Sequence, residues 1–500
     1  MEGNKRILDS VHGYIRVRDL LFKYIIDTPN FQRLRRIEQT SARALFPCAH
    51  HDRFVHSLGV FHLGQKILQA LDYSVEQLYS HTANSEEQTK KKRIALSYSV
   101  ACLLHDVGHS PFSHTFEQYF DNQDHNLMDM LKHEVNNDNF SADADYYIRE
   151  AAPHEIMSAY VTLKVYKVSL DRISVDTELV TRMIIGCKYH VEEVQHSLEN
   201  AFIDLIHGDI IDADGIDYVC RDAWASGYST AQVDIDRLIE SIVLQKDEHH
   251  QYQVCYTPKA LNEIEAVLSV KTFQQTNVIT HHTVVYEQHL LVKAMESAAL
   301  HHFSMDYTED ESVRDDALSK LCNVEALLGI VILPRHQIPY LYPMDDDFVS
   351  LMKYIPNDRY VKQWFGRQYE LKPLWKSKAE FYEYFPILTK TIYTKQFWLF
   401  GDECKNYICQ QLNVAHLDVW ILDAQDKYKG NNASKVKMLV NGKIIPYTNL
   451  FPKDKNTYVP SIQPFFYIYV PKSIPQSKID HLIIGLQSKV QQYAFTPLMG

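Results

Sequence analysis

The sequence predicts a mainly α fold, with a helical core and a smaller C-terminal α+β lobe. Apolar residues recur at helical spacing in the first part of the chain, as in the run from Ile94 to Leu104. Alternating apolar residues, with the hairpin signal Asn441-Gly442, appear only near the C-terminal end. A chain of 500 residues also exceeds what one core usually accommodates. We therefore expect a core over residues 1–330 and a lobe over residues 331–500.

Composition excludes several classes of protein. Apolar residues make up 46% of the chain, enough for a sizeable core, and the net charge of −12 argues against a surface that coats nucleic acid. No apolar run reaches the ~18 residues that a membrane span needs, and the N-terminus lacks the apolar region of a signal peptide. The eight cysteines form no CxxC pair. We expect reduced thiols and a cytoplasmic protein.

The N-terminal part predicts two helices. The first begins near Thr28-Pro29 and places the apolar Phe31 and Leu34 opposite basic residues. The second begins at Arg53 and continues to about residue 71. His56 lies in its first turn.

Residues 103–114 contain three histidines and an aspartate directly after the buried helix that ends near Leu104. An unpaired Asp106 there would cost several kcal/mol, roughly, unless a metal or another partner compensates its charge. Gly108 and Pro111 break the helix, and Ser110 or Ser113 is placed to cap a following short helix. The stretch therefore favours a metal site over a set of ordinary core histidines.

The middle of the chain predicts a loop followed by further helices. Residues 121–150 are rich in Asn and Asp, which is typical of a surface loop or a lid. Residues 201–224 read as one helix in which Asp214, Tyr218 and Asp222, spaced by four, share a face. Residues 261–302 read as one long helix or two stacked helices.

The C-terminal part predicts strands over residues 417–422, 436–440 and 465–470. Aromatic and basic residues are mixed between residues 340 and 400, a pattern that could stack on single-stranded nucleic acid. The acidic total favours buried core aromatics instead.

Four positions have the right chemistry to hold one divalent ion between three helices. They are His56, His105, Asp106 and Asp214. Mixed nitrogen and oxygen ligation suits Fe, Mn, Zn or Ni, and such an ion activates water as a nucleophile near neutral pH. Further ionisable residues near these positions could protonate a departing alkoxide. They are His109, His114, Glu117 and His154.

Four sequence blocks in this order resemble one known family. They are residues 30–35 (Asn-Phe-Gln-Arg-Leu-Arg), 53–59, 105–114 and 217–222. Together with the four candidate ligands they are similar to the HD superfamily of metal-dependent phosphohydrolases. Within it they resemble the deoxynucleoside triphosphate (dNTP) triphosphohydrolases, in the branch that contains the vertebrate sterile-alpha-motif/HD enzyme and its bacterial relatives. The resemblance implies a helical HD-domain core over residues 1–330.

The resemblance implies a role for each matching position. His56, His105, Asp106 and Asp214 would hold the metal. The residues His109, His114, Glu117 and His154 would surround the α-phosphate, with His114 as proton donor to the 5′ oxygen. The substrate would contact Gln39, Arg53, Tyr218, Asp222 and Lys271. Water would attack the α-phosphorus of a dNTP whose phosphates carry Mg²⁺, and the products would be a deoxynucleoside and tripolyphosphate.

The resemblance also implies regulation. Nucleotide-activated relatives hold a guanine nucleotide at a subunit interface, at positions that match Lys5, Asp27, Gln32 and Arg35. The chain would then form a homo-oligomer, a dimer or a tetramer, activated by GTP or a dNTP. The alternative is an ordinary Asp-Arg ion pair near the start of the Pro29 helix, and the regulatory interpretation is favoured over it.

Four positions depart from the family pattern. Gly215 stands where many relatives have Lys or Arg, Lys271 matches an Arg, Ile279 stands at the place of a Tyr, and Glu117 replaces the more usual Asp. Lysine keeps the charge of arginine but loses its bidentate geometry. These departures leave room for an HD phosphohydrolase that acts on another nucleotide, a monophosphate or a signalling nucleotide. A third alternative is a nucleic-acid-binding or assembly module whose metal site is structural, although such a site would need none of the additional histidines.

Overall fold

The computed structural model of the protein describes most of the chain. The described residues are 3–75, 85–121, 126–147, 151–190, 194–208, 211–228, 233–306, 308, 310–329, 331–333, 338–340, 342–386, 388, 396–424, 433–450 and 465–494. Helices dominate these ranges, which confirms the prediction of a mainly α fold with a smaller α+β part.

The α-helices are numbered here in chain order. They are α1 (Asp19–Leu21), α2 (Pro29–Gln32), α3 (Arg53–Ala70), α4 (Glu86–Leu104), α5 (Leu127–Val135), α6 (Asp138–Tyr147), α7 (Pro153–Val161), α8 (Lys167–Asp171), α9 (Thr177–Ile185), α10 (Ser197–Ile206), α11 (Ala213–Ser226), α12 (Ile235–Glu240), α13 (Leu261–Gln274), α14 (His282–His302), α15 (Glu311–Cys322), α16 (Val324–Leu327), α17 (Asp345–Lys353), α18 (Arg359–Gly366), α19 (Lys378–Tyr384), α20 (Gln396–Leu412) and α21 (Gln476–Ala494).

The strands form four small sheets among the described residues. They are β1 (Asn4–Asp9), β2 (Gly13–Arg18), β3 (Ile242–Lys246), β4 (Tyr252–Tyr256), β5 (Val331–Leu333), β6 (Ile338–Tyr340), β7 (Leu371–Pro373), β8 (Trp420–Asp423), β9 (Lys437–Val440), β10 (Lys443–Pro446) and β11 (Phe466–Pro471). The orders are β1-β2, β10-β9-β4-β3, β7-β11-β8 and β5-β6. The Asn441-Gly442 turn joins the antiparallel strands β9 and β10, as predicted, and both residues have positive φ, 51° and 76°.

Two compact units divide the chain. The first contains residues 1–271, 295–354 and 433–454, and the second contains residues 272–294, 355–432 and 455–500. The predicted boundary at residue 330 stays a prediction, because compact units need not coincide with domains that fold alone.

The core of the first unit is built on helices α3 and α4. Each buries most of its length, and α4 is buried at every residue from Ile94 to Leu104. Phe54 and Leu58 of α3 lie in the same apolar cluster. Among the described residues, no helix has a stretch both long and apolar enough to cross a bilayer.

Three predictions about local structure are wrong. The described part of residues 121–150 contains the helices α5 and α6 rather than a loop. Residues 201–224 contain two helices, α10 and α11, and not one. The short 3₁₀ helix Ser113–Tyr119 has no side-chain cap, because the Ser113 hydroxyl donates to the carbonyl oxygen of Glu38 instead.

Residues 261–302 form the two helices α13 and α14, which is one of the two predicted alternatives.

Candidate active site

The four predicted metal ligands converge in the first unit, and we call them the two-aspartate cluster. They are His56, His105, Asp106 and Asp214. The Nε2 atoms of His56 and His105 lie 3.3 Å apart, and His56 Nε2 lies 2.9 Å from Asp214 Oδ1. Asp106 places one oxygen 3.5 Å from His56 Nε2 and the other 3.5 Å from His105 Nε2. Two imidazole nitrogens and two carboxylates around one point form a donor set that fits a divalent transition metal.

Helix termini position these ligands. The side chain of Asp52 caps α3 and so places His56 in the first turn of that helix. Helix α4 ends at Leu104, one residue before His105, so the polar residues His105 and Asp106 lie just outside the apolar helix. The side chain of Asp212 caps α11 and places Asp214 in its first turn. Ordinary capping therefore brings three distant parts of the sequence to one point.

Hydrogen bonds on the outer side of each imidazole fix its orientation. His56 Nδ1 lies 2.7 Å from Asp217 Oδ2, and His105 Nδ1 lies 3.1 Å from the carbonyl oxygen of Cys102. Both acceptors place the proton on Nδ1, because neither a carboxylate nor a carbonyl can donate. The Nε2 atoms therefore point into the cluster, as metal ligation requires.

The two-aspartate cluster stabilises positive charge. Burial lowers the pKa of His56, but its contacts with Asp214 and Asp217 outweigh burial and raise that pKa to about 10. Burial also opposes protonation of His105, yet Asp106 and Asp214 raise its pKa above the usual value. The pKa of Asp214 lies below its usual range despite burial, since His105 and His56 stabilise the carboxylate. A divalent cation would replace the protons that this arrangement holds.

Asp217 anchors a buried network that the sequence analysis did not assign. Its Oδ1 lies 2.6 Å from His12 Nε2, while its Oδ2 accepts from His56. Arg221 donates to both oxygens of Asp217, at 2.8 and 3.0 Å, and to Asp9 Oδ2 at 2.9 Å. The turn between β1 and β2 is thereby tied to a candidate metal ligand.

Sequence signals for this network exist in retrospect. Asp217 and Arg221 stand four residues apart on one helix, the spacing of a helical ion pair. Asp9 Oδ1 accepts the backbone N–H of His12 at 2.8 Å, which is an Asx-type turn. Gly59 leaves space for the Asp217 carboxylate, since a Cβ at residue 59 would lie 1.9 Å from Asp217 Oδ1.

A second group, which we call the three-histidine cluster, lies beside the first. It consists of His109, His114, Glu117 and His154. The Nδ1 atoms of the three imidazoles lie 3.1, 2.9 and 3.2 Å from Glu117 Oε1. His109 Nε2 lies 3.2 Å from Asp106 Oδ1, so the two clusters meet at Asp106. The His114 side chain is 60% exposed, whereas that of His109 is fully buried.

Charge is distributed unequally within the three-histidine cluster. Burial and the nearby charge of Arg53 lower the pKa of His109 to about 3. Burial also disfavours the charged form of His154, but Glu117 outweighs it and raises the pKa to about 9. Glu117 has a pKa far below its usual range despite burial, because His154 and His114 stabilise its carboxylate. The cluster thus combines a neutral imidazole, an imidazolium and a carboxylate.

Arg53 connects the two clusters. Its Nη1 lies 2.6 Å from Asp106 Oδ2, and its Nε donates to Ser113 Oγ at 3.0 Å. Its Nη2 lies 3.2 Å from His114 Nε2. The predicted phosphate contact of Arg53 stays a prediction, since the guanidinium here lies against a candidate metal ligand.

Apart from Arg53, the predicted substrate contacts lie in two groups, Lys271 with Tyr218 and Asp222 with Gln39. Lys271 places its Nζ 5.5 Å from the centroid of the Tyr218 ring. Asp222 Oδ1 lies 2.7 Å from His51 Nε2, and Gln39 donates its backbone N–H to the carbonyl oxygen of His51 at 2.9 Å. The sequence analysis missed His51, although it stands two residues before Arg53. Gln39 Oε1 is buried and has no hydrogen-bond partner among the described residues, as expected of a group that meets a ligand.

The residues of the predicted regulatory site lie in two polar pairs. Lys5 Nζ lies 3.4 Å from Asp27 Oδ2, and both side chains are exposed. Arg35 donates from Nε to Gln32 Oε1 at 2.9 Å. Their nucleotide-binding role stays a prediction.

Comparison with known proteins identifies the domain. Residues 53–145 match the HD domain. A protein of Dictyostelium discoideum named deoxynucleoside triphosphate triphosphohydrolase SAMHD1 homolog is 29% identical over 284 residues, which are 56% of this chain and 46% of that protein. SAMHD1 of Danio rerio is 40% identical over 120 residues, 24% of this chain and 18% of that protein. The chain thus matches less than half of the length of these two relatives.

One further relative and two solved structures with the same fold are similar over more of the chain. An uncharacterized protein of Bacillus subtilis, YwfO, is 26% identical over 70% of this chain and 77% of its own length. A phosphohydrolase from Bacteroides thetaiotaomicron has the same fold, with a TM-score of 0.60 and 18% identity over 94% of this chain and all of that structure. A hypothetical protein from Aquifex aeolicus gives a TM-score of 0.56 at 20% identity, over 98% of this chain and all of that structure.

Proposed function

Because the chain carries an HD domain and is related to the HD-domain dNTP triphosphohydrolases, we propose that it hydrolyses dNTPs to deoxynucleosides and tripolyphosphate. The observation that carries the proposal is the junction at Asp106. Its Oδ1 lies 3.5 Å from His105 Nε2, a candidate metal ligand, and 3.2 Å from His109 Nε2 of the other cluster. Phosphoryl hydrolysis needs these two functions, charge stabilisation and proton transfer, at adjacent points.

The two-aspartate cluster would hold the metal. Its donor set fits Fe, Mn, Zn or Ni, while Mg²⁺ would accompany the substrate phosphates. A divalent ion held by these residues would polarise a phosphoryl oxygen and lower the pKa of water. The chain's own contribution is orientation, since Asp217 and the Cys102 carbonyl fix the two imidazoles.

The three-histidine cluster would supply the proton to the departing 5′ oxygen. His114 is its exposed imidazole and can reach a substrate from its position 2.9 Å from Glu117. His154 is protonated at neutral pH, because its pKa is raised to about 9, and it contacts the same carboxylate oxygen. Glu117 therefore links a protonated imidazole to the one that faces solvent.

The remaining contacts would select the sugar. Gln39 and Asp222 would bind the 3′-hydroxyl, and the Tyr218 ring would pack against the deoxyribose. Close packing at C2′ would exclude ribonucleotides. Arg53 and Lys271 would neutralise phosphate charge.

The test is an assay of tripolyphosphate and deoxynucleoside release from the four dNTPs, with Mn²⁺ or Mg²⁺ and with or without GTP. We expect release of both products by the wild-type protein and none by Asp106→Asn. Absence of both products under every condition contradicts the proposal.

The same assay separates a second candidate function. Gly215 offers no cation beside Asp214, so one contact to a triphosphate is missing, which favours nucleotides with fewer phosphates. A panel that adds deoxynucleoside monophosphates and cyclic dinucleotides tests this alternative. Faster turnover of either class than of dNTPs would replace the first proposal while preserving the HD chemistry.

Regulation by a guanine nucleotide at Lys5, Asp27, Gln32 and Arg35 is a separate part of the proposal. A carboxylate suits the guanine N1 and N2 donors, and cationic side chains suit the phosphates. We expect GTP to raise both the dNTPase rate and the oligomer mass measured by light scattering. Asp27→Asn should abolish both effects, and an unchanged GTP response in that variant would contradict the assignment.

A further inference from the structure

Helix α17 begins with a buried carboxylate that binds two distant segments of the first unit. Asp345 is 8% exposed. Its Oδ1 accepts the backbone N–H of Phe112 at 2.6 Å, and its Oδ2 accepts the backbone N–H of Glu38 at 2.8 Å. Residues 38 and 112 are remote from Asp345 in sequence, so a side chain far along the chain joins two parts of the candidate site.

The segment held at Phe112 is strained. Phe112 and Ser113 both have positive φ, 56° and 54°, a region that bulky L-residues rarely adopt. Such a conformation persists only when the surrounding structure fixes it. The Phe348 ring of α17 lies 6.5 Å from the Phe112 ring and 5.3 Å from that of Phe116, so the same helix contacts the segment twice.

This strained segment leads directly into the three-histidine cluster. Ser113 donates its hydroxyl to the carbonyl oxygen of Glu38 and accepts from Arg53 Nε at 3.0 Å. Glu38 therefore bonds to Ser113 through its C=O and to Asp345 through its N–H. The next residue is His114, the exposed imidazole of the cluster.

Arg33 makes a second connection between the start of α17 and the site. It donates from Nη1 to the carbonyl oxygen of Val107 at 3.0 Å and from Nη2 to that of His109. Its Nε donates to the carbonyl oxygen of Pro343 at 3.3 Å. The backbone at Val107 and His109 is thus joined through Arg33 to that of Pro343.

We infer that Asp345 is a positioning residue for the proposed hydrolysis: its carboxylate holds Phe112 and Ser113 in their strained conformation and thereby orients His114 toward the substrate. This inference rests on the proposed function for its catalytic consequence. The two hydrogen bonds are strongest with the ionised form, because both oxygens of a carboxylate are full acceptors for the two N–H groups. Protonation puts a donor on one oxygen and makes that oxygen a weaker acceptor.

The charged groups around Asp345 make its two hydrogen bonds, to the N–H groups of Phe112 and Glu38, sensitive to pH. Burial raises the pKa of Asp345 to about 7; the charge of Glu38 acts in the same direction, and Arg33 and the two N–H groups oppose it. On its own helix, Asp347 accepts the N–H of Met344, and Asp346 pairs with Arg36 at 2.6 Å. Falling pH through neutrality should therefore release the segment.

The first experiment compares Asp345→Asn with the neighbouring control Asp346→Asn in the full-length, Mn²⁺-loaded protein. We expect kcat of Asp345→Asn to be 10- to 100-fold below wild type at pH 8, roughly the cost of a misplaced catalytic group. The ratio should be several-fold smaller at pH 6, where most of wild-type Asp345 is itself protonated. KM and bound metal should not change, and Asp346→Asn should match wild type at both pH values.

Two outcomes of that comparison overturn the inference. One is a kcat ratio that does not depend on pH. The other is a defect in KM or bound metal at unchanged kcat, which would indicate a role in binding.

The second experiment needs neither a variant nor catalysis. Hydrogen exchange of the wild-type protein is followed by mass spectrometry in peptides that contain Glu38 and Phe112, with correction for intrinsic exchange rates. Protection in both peptides should fall together from pH 8 to pH 6, while a peptide covering residues 94–104 should not change. Unchanged protection in the first two peptides overturns the inference, even if the protein proves inactive on every nucleotide.

Discussion

The two clusters of the first unit use the same residue types in opposite ways. In the two-aspartate cluster each imidazole has its outer nitrogen bonded to a fixed acceptor, Asp217 or the carbonyl of Cys102, and points the other nitrogen inward. In the three-histidine cluster three inner nitrogens share one oxygen of Glu117. The first arrangement fixes where protons reside, and the second lets one proton be shared among several sites.

This difference indicates what each cluster can do. Fixed tautomers with converging lone pairs hold a cation. An ionised carboxylate beside a neutral and a charged imidazole stabilises a proton on His154 that can be transferred. Asp106 belongs to the first cluster and contacts the second, so a substitution at Asp106 should impair both metal binding and proton transfer. Most other substitutions should impair only one of these two functions.

Asp106→Asn should have the largest effect. It removes a charged ligand and the partner of both Arg53 and His109, so we expect loss of bound metal and a decrease in turnover of at least ~10³-fold. Metal analysis and product release measure the two effects. The exposed His249→Ala serves as a control, and full metal occupancy in Asp106→Asn would break the assignment of the two-aspartate cluster.

His114→Ala should separate the clusters. The metal content should equal that of the wild-type protein, while kcat should fall about 10²- to 10⁴-fold, the usual contribution of a general acid. Loss of metal from this variant, or an unchanged kcat, would show that the three-histidine cluster does not have the proton-transfer role described here.

Asp217→Asn should weaken metal binding without removing a ligand. Substitution of the group that orients a ligating histidine costs roughly 10- to 100-fold in metal affinity. Competition with a chelator measures this affinity, and kcat at saturating metal should stay near the wild-type value. The exposed Asp236→Asn is the matched control, and equal affinities in the two variants would contradict the role of Asp217.

Metal affinity should also depend on pH. The pKa of His56 is about 10 in the metal-free protein, so a proton must leave this imidazole when a cation binds. Affinity should therefore rise about tenfold per pH unit between pH 7 and pH 9 for each proton released. Chelator competition over this range, corrected for the chelator's own protonation, checks the slope, and a flat profile would contradict it.

The raised pKa of His56 also makes the free energy of unfolding depend on pH. Because the folded-state pKa of His56 lies above its unfolded value of about 6.5, its contribution to the metal-free protein is fully present below pH ~6.5. That contribution is lost as the pH rises through about 10. Thermal unfolding of the chelator-treated protein between pH 6 and pH 10 measures this loss.

The convergence of the four ligands was predicted from their chemistry, from the end of the apolar run at Leu104 and from the resemblance to the HD phosphohydrolases. The caps Asp52 and Asp212 were not predicted, and Asp212 lies within residues 201–224, which were predicted to be one continuous helix. Asp217, His51 and Asp345 were not predicted as parts of the site. Their contacts join residues far apart in the chain, and no periodicity marks such contacts.

Two errors in secondary structure also have physical causes. The asparagines that suggested a loop after residue 121 include helix caps: Asn126 caps α5, and Asn137 accepts the N–H groups of residues 139 and 140. The apolar residues that made 201–224 look continuous belong to two helices. Between them, Gly208 donates its N–H to Asp212 at 2.8 Å.

The link between the β1–β2 turn and Asp217 has a practical consequence for handling the protein. Proteolytic removal of the first dozen or so residues would take away Asp9 and His12 yet spare every atom expected to touch the cation. Arg221 would then lose one of its two charged partners and Asp217 one of its three, and removing one partner of a buried ion pair typically costs about 3–5 kcal/mol. A trimmed protein should therefore have a lower Tm and a weaker affinity for the metal, although all four of its candidate metal ligands would still be present.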